Sequence, residues 1–196
     1  MSMSAQMTPR SVVTTAPEKM LLTIDSSTLL DMLDYYDSGI AKKMMNKVDE
    51  EAVITEMTDA TITIDTGESH SVTFAILPCG KTPIIMVIDR IEAPAVDASI
   101  AFYNSRWQPI NAAKFLRMPT LNDWVGKQPR DKMEEIENAL PFLMADAQYD
   151  AATSTLTFTP QIGDYVSVED ADKVKSALAP KLEYVWSGKK FKPSKR

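Results

Sequence analysis

Ala75 to Thr82 reads Ala-Ile-Leu-Pro-Cys-Gly-Lys-Thr, a loose match to the phosphate loop of nucleotide-binding enzymes. The apolar run Ile84–Ile88 then closes on Asp89, like the strand that carries a magnesium-holding aspartate. The neighbours exclude the chemistry. A phosphate loop needs a glycine-rich turn leading directly into a helix whose first amides point at the anion. Here Pro83 and a β-branched run follow Thr82, Pro78 removes an amide, and none of residues 76–79 is glycine. The aspartate strand would also have to run parallel to the first, through a crossover of a dozen or more residues. A turn between two antiparallel strands is the reading that remains, with no nucleotide.

Nucleophilic and metal chemistry have few residues to draw on. His70 and Cys79 are the single histidine and the single cysteine. They sit at opposite ends of a strand pattern, "SVTFAIL", which holds such ends roughly 25–30 Å apart when extended. A Cys–His dyad is therefore excluded, and His70 in "GESHS" reads as a surface turn residue. One histidine and one cysteine cannot make a zinc site or a disulfide framework. Asp31, Asp34 and Asp37 recur along one helix face, which reads as a wetted face rather than a metal site. The glycines are isolated, so there is no dinucleotide fingerprint. We assign no catalytic residue, no metal and no cofactor. Carboxylates around Asp89 and Asp97 are the nearest approach to a hydrolase centre, and turn and strand-end roles account for them as well.

The elements that must position these residues follow from periodicity. Pro17 opens a short helical turn through Leu22. Ser26 or Ser27 caps a helix from Thr28 to Asp37, with Leu29, Leu33 and Tyr36 on its apolar face. From Glu51 the period becomes two: "AVITEMT", "TITID", "SVTFAIL", "IIMVIDRI" and "SIAFYNSRWQPI" are strands joined by short turns, hence an antiparallel meander. Beyond Pro119, "DKMEEIENAL" is helical from a cap at Asp131 up to Pro141. "TLTFTPQI" is then a strand, "SVEDADKVKSALAP" a helix capped at Ser167, and "KLEYVWSGKKFKP" a hairpin.

Two stretches echo each other. Phe102, Trp107 and Pro109 have the same spacing as Trp186, Phe191 and Pro193. A tight turn between the aromatics would make each pair a cross-strand contact, with proline at the strand end. Two α/β repeats, each ending in an aromatic hairpin, or two unrelated hairpins, both account for this. The fold class is α+β, an antiparallel meander with helices packed on one face. Residues 1–16 read as a flexible segment without periodicity, and 17–193 as one globular domain or as two packed subunits, 17–118 and 130–193.

Composition narrows the partners. The chain has 196 residues, 44% hydrophobic and 24% charged, and a net charge of −6. That balance argues against nucleic acid, which needs clustered cations. The exception is a short basic end including Lys189, Lys190 and Lys192, which reads as solvated. No 18-residue apolar run exists to form a transmembrane segment. "MSMSAQ" lacks a full signal peptide, though Ser4, Ala5 and Gln6 fit the end of one as well as they fit a plain N-terminus.

The stretch "APAVDASIAFYNSRWQPI" and the ending "LEYVWSGKKF" are similar to a family of uncharacterised exported proteins from Bacteroidales-type anaerobes. Asp97, Ile100, Phe102, Tyr103, Asn104, Trp107 and Pro109 match its aromatic core, and Tyr184, Trp186, Gly188, Lys189 and Phe191 its closing hairpin. The spaced aspartates of "TLLDMLDYYDSGIAKKM" and the segment "EMTDATITI" match its earlier parts, so the likeness spans most of residues 20–192. Ala98 stands where the family pattern has serine, with Ser99 beside it. The resemblance implies export to the periplasm or cell surface and implies no activity. The expectation is an exported, non-enzymatic binding protein with a protein or glycan partner; a carboxylate-dependent hydrolase is the alternative. Tyr103, Trp107, Tyr184 and Trp186 are its candidate binding residues if exposed, and core residues otherwise.

Overall fold

A computed structural model of the chain describes residues 7–92, 95–140, 142–163 and 165–194. The cleavage-site reading of "MSMSAQ", Pro141 as a helix stop and the last two basic residues lie outside them. Two compact units divide the chain: residues 1–89 with 100–112, and residues 90–99 with 113–196. The α+β architecture expected from periodicity is found, with the strands divided between two antiparallel sheets.

The first sheet is a meander of seven strands in chain order. They are β1 (Met44–Met45), β2 (Glu51–Met57), β3 (Thr61–Gly67), β4 (His70–Leu77), β5 (Ile84–Ile91), β6 (Asp97–Tyr103) and β7 (Pro109–Ile110). Alternation explains its buried face: Ile54, Ile62, Ile64, Val72 and Phe74 all point into one core. Two helices close that core, α1 (Pro9–Thr14) and α2 (Ser26–Asp37), bringing Val12, Val13, Leu29, Met32 and Leu33. The turn between β4 and β5 holds Cys79, half-buried, and Gly80 at φ +60°, and no helix follows Thr82 before β5 begins.

Helix α1 is a correction to the sequence reading, which gave residues 1–16 no regular structure. Thr8 caps it: its hydroxyl accepts from the Ser11 amide while the Ser11 hydroxyl accepts from the Thr8 amide. Pro9 at the first helical position presets the backbone angle. Six residues are too few to hold a helix alone, so Val12 and Val13 on the core face supply its stability. Arg10 also reaches two of the α2 aspartates, Asp34 and Asp37, each at 2.5 Å. The cap of α2 is Asp25, accepting from the Thr28 amide at 2.9 Å, and the helix begins at Ser26 rather than Thr28.

The second unit holds α3 (Leu121–Val125), α4 (Arg130–Ala139), β8 (Met144–Asp150), β9 (Thr155–Gln161), α5 (Val168–Ala177), β10 (Leu182–Trp186) and β11 (Phe191–Pro193). Its sheet order is β11-β10-β9-β8. Helix α4 begins after Pro129, with Asp131 in the first turn and no side-chain cap, while α5 is capped by Ser167 as expected. The closing hairpin pairs Trp186 with Phe191 across the strands, rings 4.9 Å apart, as the spacing predicts. The earlier echo behaves differently. Phe102 pairs with Ile110 and Tyr103 with Pro109, leaving Trp107 in the turn at φ +59°. The Asn104 carboxamide accepts from the Arg106 and Gln108 amides and imposes that tighter loop.

Candidate functional site

The sequence singled out four aromatics, and the structure gives them separate surroundings. Tyr103 and Trp107 are half-buried in the first unit. The Trp107 ring lies 5.5 Å from Tyr103 and edge-on to Phe74 at 6.0 Å, and its indole N–H donates to Thr15 at 3.3 Å. The pair is packed against the core below α1. Trp186 is 6% exposed, with its ring near Phe115 and Phe191. Tyr184 is 4% exposed, edge-on to Phe158 at 5.7 Å. Trp186 therefore serves the core, and Tyr184, nearly buried, is one of the residues lining a cleft.

That cleft has a volume of about 660 Å³ and lies wholly in the second unit. Asn122 and Asp123 of α3 form one wall, Ala179 and Pro180 after α5 another, and Lys181 to Tyr184 with Pro193 and Ser194 complete it. Local rules put these segments together. Pro180 ends the α5 segment, and the Ala179 amide donates to the Trp124 carbonyl at 2.9 Å, tying the segment to α3. Helix α3 itself is started by Thr120 and Asp123. The Asp123 carboxylate accepts from the Thr120 amide at 2.7 Å and its hydroxyl at 2.8 Å.

Arg117 grips Asp123 from outside with two parallel bonds of 2.7 and 3.1 Å. This guanidinium, together with the Thr120 donors and against a smaller opposing effect of burial, holds the Asp123 carboxyl at about 2. Lys181 donates to Glu183 at 2.6 Å, and the Ser194 amide donates to the Glu183 carbonyl at 2.7 Å. The cleft is thus lined by Asp123, whose partner Arg117 lies outside it, and by the Lys181–Glu183 pair, beside the apolar Ala179, Pro180, Leu182 and Pro193. Its size is that of a small-ligand site. The sequence reading missed all of these residues but Tyr184. The signal was Thr120 followed three residues later by Asp123, a variant of the capping pattern that marks a helix start.

His70, read as a surface turn residue, is instead the first residue of β4 and bonded on both nitrogens. Nδ1 lies 2.5 Å from the Thr66 hydroxyl and Nε2 lies 2.9 Å from Asp89. The order hydroxyl–imidazole–carboxylate is that of a hydrolytic triad, but Thr66 is 3% exposed. Asp97 is engaged elsewhere, accepting from the Ala145 amide at 3.2 Å. Among the described residues no group of three or more His, Cys, Asp or Glu side chains is placed to hold a metal. No helix among them is long and apolar enough to cross a membrane.

The fold is that of an α+β protein of antiparallel sheets, with a cleft of about 660 Å³ in its second unit. A model of the family described as a protein of unknown function (DUF3256) matches residues 1–191, and the chain belongs to that family. The chain is also similar to a solved domain of an uncharacterized protein from Porphyromonas gingivalis W83. The two agree with a TM-score of 0.81 at 19% identity, covering 95% of this chain and 98% of that one, a likeness of fold. No curated protein matches the chain.

Proposed function

We propose that the protein is an exported, non-enzymatic binding protein of the cell envelope, and that its ligand occupies the cleft above Tyr184. The cleft carries the reading: a concave site of about 660 Å³ in which Asp123 and the Lys181–Glu183 pair are each engaged in ion pairs. Export is supported by the resemblance of the aromatic motifs to exported proteins. Tyr103, Trp107 and Trp186 then act as packing residues, and Tyr184 is the candidate that contributes to binding.

The carboxylate-dependent hydrolase expected around Asp89 and Asp97 finds those carboxylates bonded to His70 and to the Ala145 amide; a separate hydrolase reading would rest on Thr66, His70 and Asp89. Substrate would have to reach the Thr66 hydroxyl, and Thr66 is only 3% exposed. Binding of the purified chain to fractionated envelope glycans and peptides, measured by biolayer interferometry, tests the reading. Saturable binding that Ala179→Arg weakens at least about tenfold, with an unchanged melting temperature, is the expected result. Turnover of ester or glycoside reporters that is abolished by His70→Ala and untouched by Ala179→Arg would establish the hydrolase instead.

A further inference from the structure

We infer that α1 is a hinged strap, which opens and closes over the core of the first unit as one piece while the sheet beneath it stays folded. The device lies in the first unit and does not depend on the cleft lined by Tyr184.

Six residues supply too few internal bonds for a helix that stands alone in water, so α1 is helical only while it is seated. Its main chain is bonded to itself. The Val12 amide donates to the Thr8 carbonyl at 2.9 Å, and the Ala16 amide donates to the Val13 carbonyl at 3.2 Å. Among the described residues, no backbone hydrogen bond joins residues 8–16 to a strand or to another helix. Side chains make the seat. Pro9, Val12 and Val13 are buried against α2, β3 and β4, with Met7 and Ala16 packed beside them.

Polar ties hold the two ends. Near the start, Arg10 reaches Asp34 and Asp37 of α2, and all three side chains are exposed. At the end, the Thr15 hydroxyl accepts from the Trp107 indole N–H at 3.3 Å. Exposed ion pairs and a single hydrogen bond each contribute little. Opening breaks these ties and the apolar seat, and it leaves the ladders between β2, β3 and β4 in place.

The chain supplies a pivot and a gap at the same corner. Pro17 has no amide to bond back to α1, and the short 3₁₀ turn Glu18–Met20 follows it. A cavity of about 190 Å³ lies there, with Val13, Thr14 and Ala16 in one part of its lining and Leu21, Ile24 and Leu29 in another. Packing against α1 is incomplete where that gap lies. Lifting the helix joins the cavity to the space that Val13 fills when seated. Because α1 cannot persist as a helix once unseated, its two ends leave together, whereas a frayed end would answer only to the tie beside it.

Native-state hydrogen exchange of the full ¹⁵N-labelled chain tests this. The Val12 and Ala16 amides report the two ends of the strap, and amides of β3 and β4 report the sheet. Both strap amides should share one opening equilibrium, at least about 100-fold more populated than the opening of the sheet and far less sensitive to denaturant. Arg10→Ala, which removes two exposed pairs, should speed both strap amides about threefold. Trp107→Phe keeps a ring in place and removes the indole donor, and it should also speed both by about threefold. Added salt, which screens the Arg10 pairs in the unaltered chain, should again speed the two together. Strap amides that exchange at the rate and with the denaturant dependence of the sheet would overturn the inference. So would a change confined to Val12 on adding salt or in Arg10→Ala, or confined to Ala16 in Trp107→Phe, since that is fraying of independent ends.

Discussion

Asp123 joins the start of a helix to the wall of the cleft. Arg117 and the Thr120 donors keep its carboxyl at about 2, below the ordinary carboxylate value. A carboxyl lowered in the folded state stabilises the fold at pH values above its unfolded value. That contribution is lost as pH falls from about 4 toward about 2. Asp25 and Asp150, both accepting from nearby backbone and hydroxyl donors, are lowered as well and titrate in the same direction. We expect Asp123→Asn to flatten part of the acid limb of a melting-temperature profile, leaving the remainder to the other two. Trp107 gives a second prediction. Its left-handed backbone is unfavourable for a bulky residue, and contacts with Tyr103, Phe74 and Thr15 hold it there. Trp107→Ala should cost about 2 kcal/mol in chemical denaturation, below a fully buried tryptophan because Trp107 is only half-buried. Trp107→Phe should cost less than about 1 kcal/mol.

Elements with strong periodicity were legible and short ones were not. The strand alternation of Ile62, Ile64, Val72 and Phe74 marked the buried face of the first sheet, and that face holds the core. Ser167 before an amphipathic run marked α5. By contrast α1 is one and a half turns long, and its cap is a Thr–Ser exchange rather than the usual carboxylate. β8, Met-Ala-Asp-Ala-Gln-Tyr-Asp, has no β-branched residue and is a strand because β9 pairs along its whole length. Tertiary pairing outweighed local preference there. The cleft was illegible for the same reason: the tie between Ala179 and Trp124 brings Asn122 to Lys181, and the β10–β11 pairing with the Ser194–Glu183 bond brings Ser194. The closing hairpin was legible because the spacing of Trp186 and Phe191 suits a short turn. A double-mutant cycle on that pair should give a coupling of about 0.5–1.5 kcal/mol. Thr8→Ala, removing the α1 cap, should cost about 1 kcal/mol.

At the scale of the molecule, family membership and the Porphyromonas gingivalis structure establish a shared fold, and fold alone does not assign a function. The proposed binding function rests on the cleft lined by Asn122, Asp123, Lys181 to Tyr184 and Ser194. The most direct test is isothermal titration of the wild-type chain and of Ala179→Arg with glycan fractions from the native envelope, alongside a reporter hydrolysis assay. The account predicts saturable heat for the wild type, loss of at least about tenfold in affinity for Ala179→Arg, and no turnover. Equal binding by both chains, or hydrolysis that disappears with His70→Ala, would contradict it.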